Sequence, residues 1–406
     1  MSDCAPPTMR LGIIGLGGAA KQMMPSFLSH PHVAITAAAD SREEARRAFG
    51  AEFGARTHLT AEALCADPEV DVVYIATPHQ MHRDHAALAA RAGKHIIIEK
   101  PMALTLDECG DIIAAAKATG VHLLVGHTHS FNAPVLKMRS LICEGAIGPV
   151  SMINSWNYGN FLYRPRRPEE LRTDAGGGII YNQVPHQVDV VRLLGGGMVR
   201  SVRSMAWTLD PARPTEGAHV TFLQFENGSA ASLAYSGYDY FDTDEFHYWI
   251  GELGEPKRPD RHAASRMTLE AIADTGSEVA AKAAGGFGGD RRLAVPPPDE
   301  WNHPHFGVTI VSGPDGDLRQ TARGVTHYGR RGAVEHPLDP PRAFPDKSGV
   351  VYEMYDAFAG LRPILHDGAW GRATMEVSEA ILRSAREGRE IGMSHQVPVR
   401  DWGEPN

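Results

Sequence analysis

The sequence predicts an α/β chain: an N-terminal doubly wound parallel sheet, then an α+β unit built on a large open, mostly antiparallel sheet. Three observations carry this. Val/Ile-rich runs alternate with helix-like stretches through the first third; such runs suit strands covered on both faces, and the alternation suits βαβ units. From about Val150 the pattern turns to apolar/polar alternation broken by Asn227-Gly228 and Asp315-Gly316, as in hairpin-linked strands. The 406 residues are 43% apolar and 22% charged. That composition excludes collagen, a long coiled coil and wholesale disorder, and the length suits about two or three domains. The expected division is 1–130 and 131–406, with an insertion near 254–298.

In chain order, Leu11–Ile14 is a buried strand and Met23–Leu28 lies in a helix. Val33–Ala39 is a second strand and Ser41–Phe49 a charged surface helix. Val70–Ala76 is a third strand, followed by a helix from about Asp84 to Ala92. Ile96–Ile98 and Val121–Val125 are strands on either side of a Leu106–Ala118 helix. In the second unit SMINSWNYG, MVRSVRSMAWTL, HVTFLQFENGSAASLAYSGY and FGVTIVSGPDGDLRQTARG read as strands. The Gly254–Pro298 stretch, with AAGGFGGDRR and VPPPDE, reads as a mobile loop near a pocket mouth or an interface. Arg372–Glu387 has the apolar spacing of an amphipathic helix at Met375, Val377, Ile381 and Leu382.

Lys and Arg number 40 against 49 Asp and Glu, a net charge of −9, which disfavours nucleic acid or an anionic membrane as the main partner. Apolar runs are strand-sized, and MSDCAPPTMR lacks a signal-peptide pattern. Cys4, Cys65, Cys109 and Cys143 form no C-x-x-C pair and read as reduced thiols of a cytoplasmic protein. His127-Thr-His129 and His303-Pro-His305 look like metal pairs, but there is no H-E-x-x-H and no cysteine set at zinc spacing. No metal is expected.

The first strand runs into Gly15-Leu16-Gly17-Gly18-Ala19-Ala20, a G-x-G-x-x-A turn. Gly15 permits the turn, Gly17 lets backbone approach a pyrophosphate, and the following helix start, with Gly18 and Ala19, offers amide donors. Asp40 stands 25 residues after Gly15, at the end of the second strand. A carboxylate there accepts from ribose hydroxyls and repels a 2′-phosphate, favouring NAD. Ser41 and Arg42 follow, and the arginine leaves NADP open; Asp40 and Ser41 also serve as helix-capping residues. Three further segments fall at strand ends on the same sheet edge: Thr77-Pro78-His79-Gln80-Met81-His82, Glu99-Lys100-Pro101, and Gly126-His127-Thr128-His129. Each has a bland reading alone, since Thr-Pro starts helices and most lysines are solvated; their shared position points to a site.

The segments GLGGAA, IATPHQMH and IIIEKPMA, in this order, resemble the glucose–fructose oxidoreductase/inositol dehydrogenase (Gfo/Idh/MocA) family. Gly176-Gly177-Gly178-Ile-Ile-Tyr-Asn182-Gln-Val184-Pro185-His186-Gln-Val-Asp189 resembles the family pattern GGGxxxDxGxHxxD. It departs at Asn182, where the family has Asp, and at Val184, where it has Gly. The resemblance implies a Rossmann domain with an open-sheet partner domain, catalysis without metal, a homodimer or homotetramer, and a Lys100-Pro101 turn that places the lysine, with a cis peptide. It implies cofactor contacts from Gly15, Gly17, Gly18, Ala19, Asp40, Ser41, Arg42, Thr77, Pro78, His79, His82, Glu99, Lys100 and Pro101. His186 is the implied base, Lys100 the group that holds the reacting oxygen, and Asn182 the residue that orients substrate or His186.

The stretch from Arg164 to His186 resembles the members that oxidise 4,5-dihydro-4,5-dihydroxyphthalate to 4,5-dihydroxyphthalate in phthalate degradation. Arg164, Arg166, Arg167 and Arg172 lie within nine residues, and guanidinium groups suit paired carboxylates. A solvated loop is the plainer reading, so about one or two of the four are expected at substrate. His127, His129, Tyr181 and Asn182 complete the expected substrate contacts. The alternatives are a sugar or inositol dehydrogenase, a non-catalytic NAD(P)-binding regulator, and an NADPH-dependent reductase supported by Arg42 alone.

Overall fold

A computed structural model describes residues 6–400 except 128, 273 and 293; Cys4 and Thr128 therefore lie outside the described residues. Strands β1 (Met9–Ile14), β2 (Val33–Ala39), β3 (Arg56–His58), β4 (Val72–Ile75), β5 (His95–Glu99) and β6 (Leu123–Gly126) form one sheet, ordered β3-β2-β1-β4-β5-β6. Every pairing in it is parallel. The order reverses between β1 and β4, which opens a crevice at their carboxyl ends. The helix Leu106–Thr119 starts with a Thr105–Glu108 capping box and stops at Gly120, which has φ +70°. The β3 strand and the helix Ala61–Cys65 are absent from the sequence reading because Arg56-Thr-His58 is a short polar segment at the sheet edge.

The second sheet contains β7 (Met152–Tyr158), β8 (Val199–Trp207), β9 (Ala218–Phe225), β10 (Ala230–Ser236), β11 (Val308–Gly313), β12 (Gly316–Thr321), β13 (Gly324–Gly329), β14 (Gly332–Pro337) and β15 (Ile391–Gly392). Their order is β14-β13-β12-β11-β7-β10-β9-β8-β15. Only β7 and β10 pair in parallel. Asn227-Gly228 and Asp315-Gly316 make the two tight links that the alternation predicts. Helices Ala133–Cys143, Val184–Gly195 and Gly368–Glu387 cover one face of this sheet. On the other face Met205, Val220, Ala234 and Trp156 sit side by side across four strands, and the three large ones are 54%, 50% and 40% exposed.

Two segments of the second unit cross back to the first. Helix Ser348–Phe358 buries Val350, Val351 and Met354 in one core with Met9 and Phe27. A boundary near residue 130 thus separates the sheets but not the helices that cover them. The 254–298 stretch, expected as loop, contains helices Ala264–Glu270 and Thr275–Ala283. The chain then straps across the glycine turn of the first sheet. Phe287 is only 3% exposed, packed on Phe49 and Phe53 at ring distances of 5.1 and 6.0 Å. Its N–H donates to the Leu16 carbonyl at 3.0 Å, and Lys21 Nζ donates to the Gly286 and Arg291 carbonyls. Gly286 must be small, because a Cβ there lies 3.0 Å from Leu16 O and 3.2 Å from Gly17 Cα. A single aromatic among glycines and alanines carries this docking, so hydropathy patterning misses it.

Truncating Phe287 removes the buried group that holds the strap. Phe287→Ala costs roughly 3 kcal/mol of docking, which raises the opened population about a hundredfold. Tryptic cleavage after Arg291 and Arg292 should accelerate accordingly in limited proteolysis, and NADH should slow it; an unchanged cleavage rate contradicts the docking role.

Candidate active site

The glycine turn, the ends of β4 and β5, the helix start at Gly178 and the strap enclose one cavity of about 1150 Å³. At its nucleotide end Gly15 has φ +93°, and a Cβ there lies 2.8 Å from Ala76 O, so only glycine lets β1 turn past β4. Gly17 caps the helix Gly18–Ser29, and a Cβ built on it meets nothing within 4 Å. Open space therefore faces the amide end of a helix. Asp40 Oδ2 accepts from the Leu16 N–H at 2.7 Å, and Oδ1 accepts from the Arg42 N–H at 2.9 Å. Burial opposes the charged carboxylate, but Arg42 and these amides hold it below its ordinary range. The Arg42 guanidinium itself is bound to Asp40 and the Leu16 carbonyl. This donor and acceptor set fits NAD: helix amides for phosphate, and a retained carboxylate where a ribose diol needs an acceptor. Ala19, Ser41, Thr77, Pro78, His79 and Glu99 line the same cavity. Thr77 Oγ1 contacts His85 Nδ1 at 3.1 Å, and Glu99 Oε1 accepts from the Tyr74 hydroxyl at 2.5 Å.

The reactive end lies between the units. Lys100 follows β5, and its peptide bond to Pro101 is cis. Its Nζ donates to the backbone carbonyl of Asn182 at 2.6 Å. Burial pushes the ammonium down to about 8, against the pull of Glu99 and Glu252. His186 lies four residues beyond Asn182, on the helix Val184–Gly195. It lines the cavity, with its Nδ1 buried and unpartnered. Burial, then the charge of Lys100, pushes the imidazole well below its ordinary range. It is therefore neutral at neutral pH. The His129 ring stands edge-on to it at 4.6 Å, and Phe306 packs against both rings at 5.1 and 5.2 Å. His129 Nε2 meets Glu252 Oε1 at 3.4 Å, and Arg164 Nη2 donates to Glu252 Oε2 at 3.2 Å.

Several expected site residues stand elsewhere or do something else. Asn182 Nδ2 donates to the Gly176 and Gly178 carbonyls at 3.2 and 2.8 Å. It braces the glycine turn with these two donors, while the residue itself still lines the cavity. A carboxylate there would face two carbonyl oxygens, so the amide is what this turn accepts. His82 is fully buried and ties the Thr77 carbonyl to the Pro101 carbonyl; neither His82 nor Pro101 lines the cavity. His127 is fully buried and does not line the cavity; it lies 3.8 Å from Asp189, whose carboxylate accepts from the Trp370 indole N–H. Tyr181 packs against the apolar cores of both units and does not line the cavity. Arg172 is 63% exposed and pairs with Asp174 at 2.5 Å, outside the cavity.

Arg164, Arg166 and Arg167 do line the cavity, but acids already engage them. Glu170 collects Arg166, Arg167 and Lys282. Burial opposes its charge, yet Lys282 and Arg166 hold its carboxyl down to about 2. Each of these arginines therefore has a carboxylate beside it, but Glu170 carries one negative charge against three cations. Sequence reasoning missed Glu252 and Lys347, both in the cavity. Neither belongs to a motif, and nothing local distinguishes Glu252 among 49 acidic residues. Among the described residues no cluster of three His, Cys, Asp or Glu side chains is arranged to hold a metal ion, and no helix is long and apolar enough to cross a membrane. Cys65 and Cys109 are buried free thiols and Cys143 an exposed one.

Comparison with known proteins places this geometry. Residues 9–127 match the oxidoreductase family with an NAD-binding Rossmann fold, and residues 135–254 match the GFO/IDH/MocA C-terminal domain. The 1-carboxy-3-chloro-3,4-dihydroxycyclohexa-1,5-diene dehydrogenase of Comamonas testosteroni is 41% identical over 93% of this chain and 95% of its own. Inositol 2-dehydrogenase 2 of Saccharopolyspora erythraea is 32% identical over 61% of this chain and 72% of its own. A solved structure from Bordetella bronchiseptica RB50 superposes with a TM-score of 0.90 at 42% identity, covering 95% of this chain and all of that one.

The Asn182 amide gives a direct test of the turn. Asn182→Asp replaces two donated hydrogen bonds with charge repulsion and should cost about 1–3 kcal/mol. The expected readout is a lower thermal midpoint; an unchanged midpoint contradicts the bracing role.

Proposed function

The chain belongs to the GFO/IDH/MocA oxidoreductase family and is an NAD-dependent oxidoreductase, and from that premise we propose that it oxidises a carboxylated cyclohexadiene cis-dihydrodiol to the corresponding catechol. One observation carries the catalytic part: Lys100 and His186 line a single cavity with the Gly15–Gly18 turn, the lysine bonded to the carbonyl that precedes the histidine helix. The substrate class draws on the Comamonas testosteroni relative, whose name describes a carboxylated dihydroxycyclohexadiene. The more specific candidate is 4,5-dihydro-4,5-dihydroxyphthalate, supported by the Arg164–His186 motif and three cavity-lining arginines.

In this reading the dihydrodiol loses a hydride from one carbinol carbon and a proton from its hydroxyl. The chemistry that NAD supplies when bound is acceptance of that hydride. His186, neutral through burial, takes the hydroxyl proton. The Lys100 ammonium stabilises the negative charge that develops on the oxygen. The resulting hydroxy-dienone tautomerises to the catechol. Aromatisation makes the oxidation strongly downhill, so a base without a carboxylate partner suffices. That agrees with Asn182 standing where the family pattern has Asp.

The exposed row Met205–Val220–Ala234–Trp156 supports a second proposal, that two copies pair through this sheet face. A large apolar patch on an open sheet is stable in water when another surface covers it.

Incubation with NAD and a panel of carboxylated dihydrodiols, inositols and aldoses, followed by nicotinamide absorbance, tests the assignment; turnover of polyols alone overturns it. His186→Ala should lower kcat roughly a hundred- to ten-thousand-fold with NADH affinity kept. Because Lys100 acts as the cation and titrates near 8, kcat/KM should fall as pH rises through about 8, and Lys100→Arg should shift that limb upward. Charge at the sheet face should break pairing: Phe222→Glu, at a position 45% exposed on β9, should yield monomer by light scattering.

A further inference from the structure

Lys347 reaches the cavity from a part of the chain that no motif marks. It precedes the helix Ser348–Phe358, and its backbone N–H donates to Ser26 Oγ at 2.9 Å. Its Nζ donates to Gln22 Oε1 at 3.1 Å. Both partners lie on the helix Gly18–Ser29, so the first unit positions the side chain at both ends. It shares the cavity with Lys100, His129, His186 and Glu252.

The ammonium has no carboxylate partner among the described residues, and the nearby acids are already engaged. Glu252 is held by His129 and Arg164, and Glu99 by the Tyr74 hydroxyl. Burial pushes Lys347 below its ordinary range. A cation drawn out of water with one neutral acceptor is costly unless something negative completes it. Each cavity-lining arginine already has a carboxylate beside it, Glu252 for Arg164 and Glu170 for Arg166 and Arg167, whereas Lys347 has none among the described residues. In the reading above Lys100 is assigned to the reacting oxygen, and its Nζ is held by the Asn182 carbonyl. We propose that Lys347 is the carboxylate anchor of the substrate site, selecting ring substrates that carry a carboxyl group over uncharged diols. The proposal rests on the dihydrodiol reading above and assigns its specificity to one side chain.

The test uses the full chain saturated with NADH and two probes, 3,4-dihydroxybenzoate and catechol, which differ only in the carboxylate. Affinities come from titration calorimetry. Lys347→Met should weaken 3,4-dihydroxybenzoate about a hundredfold and leave catechol within a factor of about three, while Lys347→Arg keeps most of the affinity. NADH affinity, from its fluorescence, should be unchanged in both variants. Equal weakening of the two probes, no weakening of either, or loss of NADH affinity overturns the anchor; the last would assign the ammonium to a cofactor phosphate instead. If the unsubstituted protein binds neither probe, the dihydrodiol reading falls, and the anchor with it. If it binds both and Lys347→Met changes nothing, only the anchor falls.

Discussion

The hydrogen bond from Lys100 to the Asn182 carbonyl is the contact on which the site depends. It joins the end of a strand in the parallel sheet to the glycine turn that starts the histidine helix. The turn is itself held by the Asn182 amide, which spends its donors on the Gly176 and Gly178 carbonyls. One residue thus fixes the turn with its side chain and the lysine with its backbone. Because the acceptor is a neutral carbonyl, the ammonium keeps its full charge for a ligand. Burial of that charge brings the lysine down to about 8. A carboxylate partner would have done the reverse and neutralised the site.

The cavity sorts its charges. Glu252 gathers His129 and Arg164, and Glu170 gathers Arg166, Arg167 and Lys282. These groups build the wall. Lys100 and Lys347 stay outside both clusters and leave positive charge facing the space between the units. The strap links the wall to the nucleotide end. Glu278, on the helix before Phe287, accepts from the Arg166 N–H and from Arg213, while the backbone around Phe287 closes on Leu16 and Lys21. Movement of the strap therefore reaches the arginine loop and the glycine turn together.

Much of the fold was legible because its signals are local. The Val/Ile runs of β1, β4 and β5 declare strands buried on both faces, and G-L-G-G-A-A declares the turn whose first position only glycine permits. The strand-end positions of Asp40, Thr77 and Lys100 follow from that alternation alone. Elements without a local signal were missed: the polar edge strand β3, the two helices and the docked strap within 254–298, and the return of Ser348–Phe358 to the first core.

Residue chemistry and order along the chain determined the sheet type, the nucleotide-binding turn, the carboxylate at the second strand end and the Lys100–His186 pair as candidates. Tertiary structure alone decided which polar groups remain free. The Arg164–Arg172 cluster looked like an anion site in sequence; folding places Glu252 and Glu170, from 88 residues away and from within the loop, against three of its members. His127 and His129 are two residues apart, yet one is sealed beside Asp189 and the other faces the cavity. Lys347 had no sequence signal at all. The physical reason is that charge compensation and burial are properties of what surrounds a side chain in space, and those surroundings come from segments that no local pattern connects.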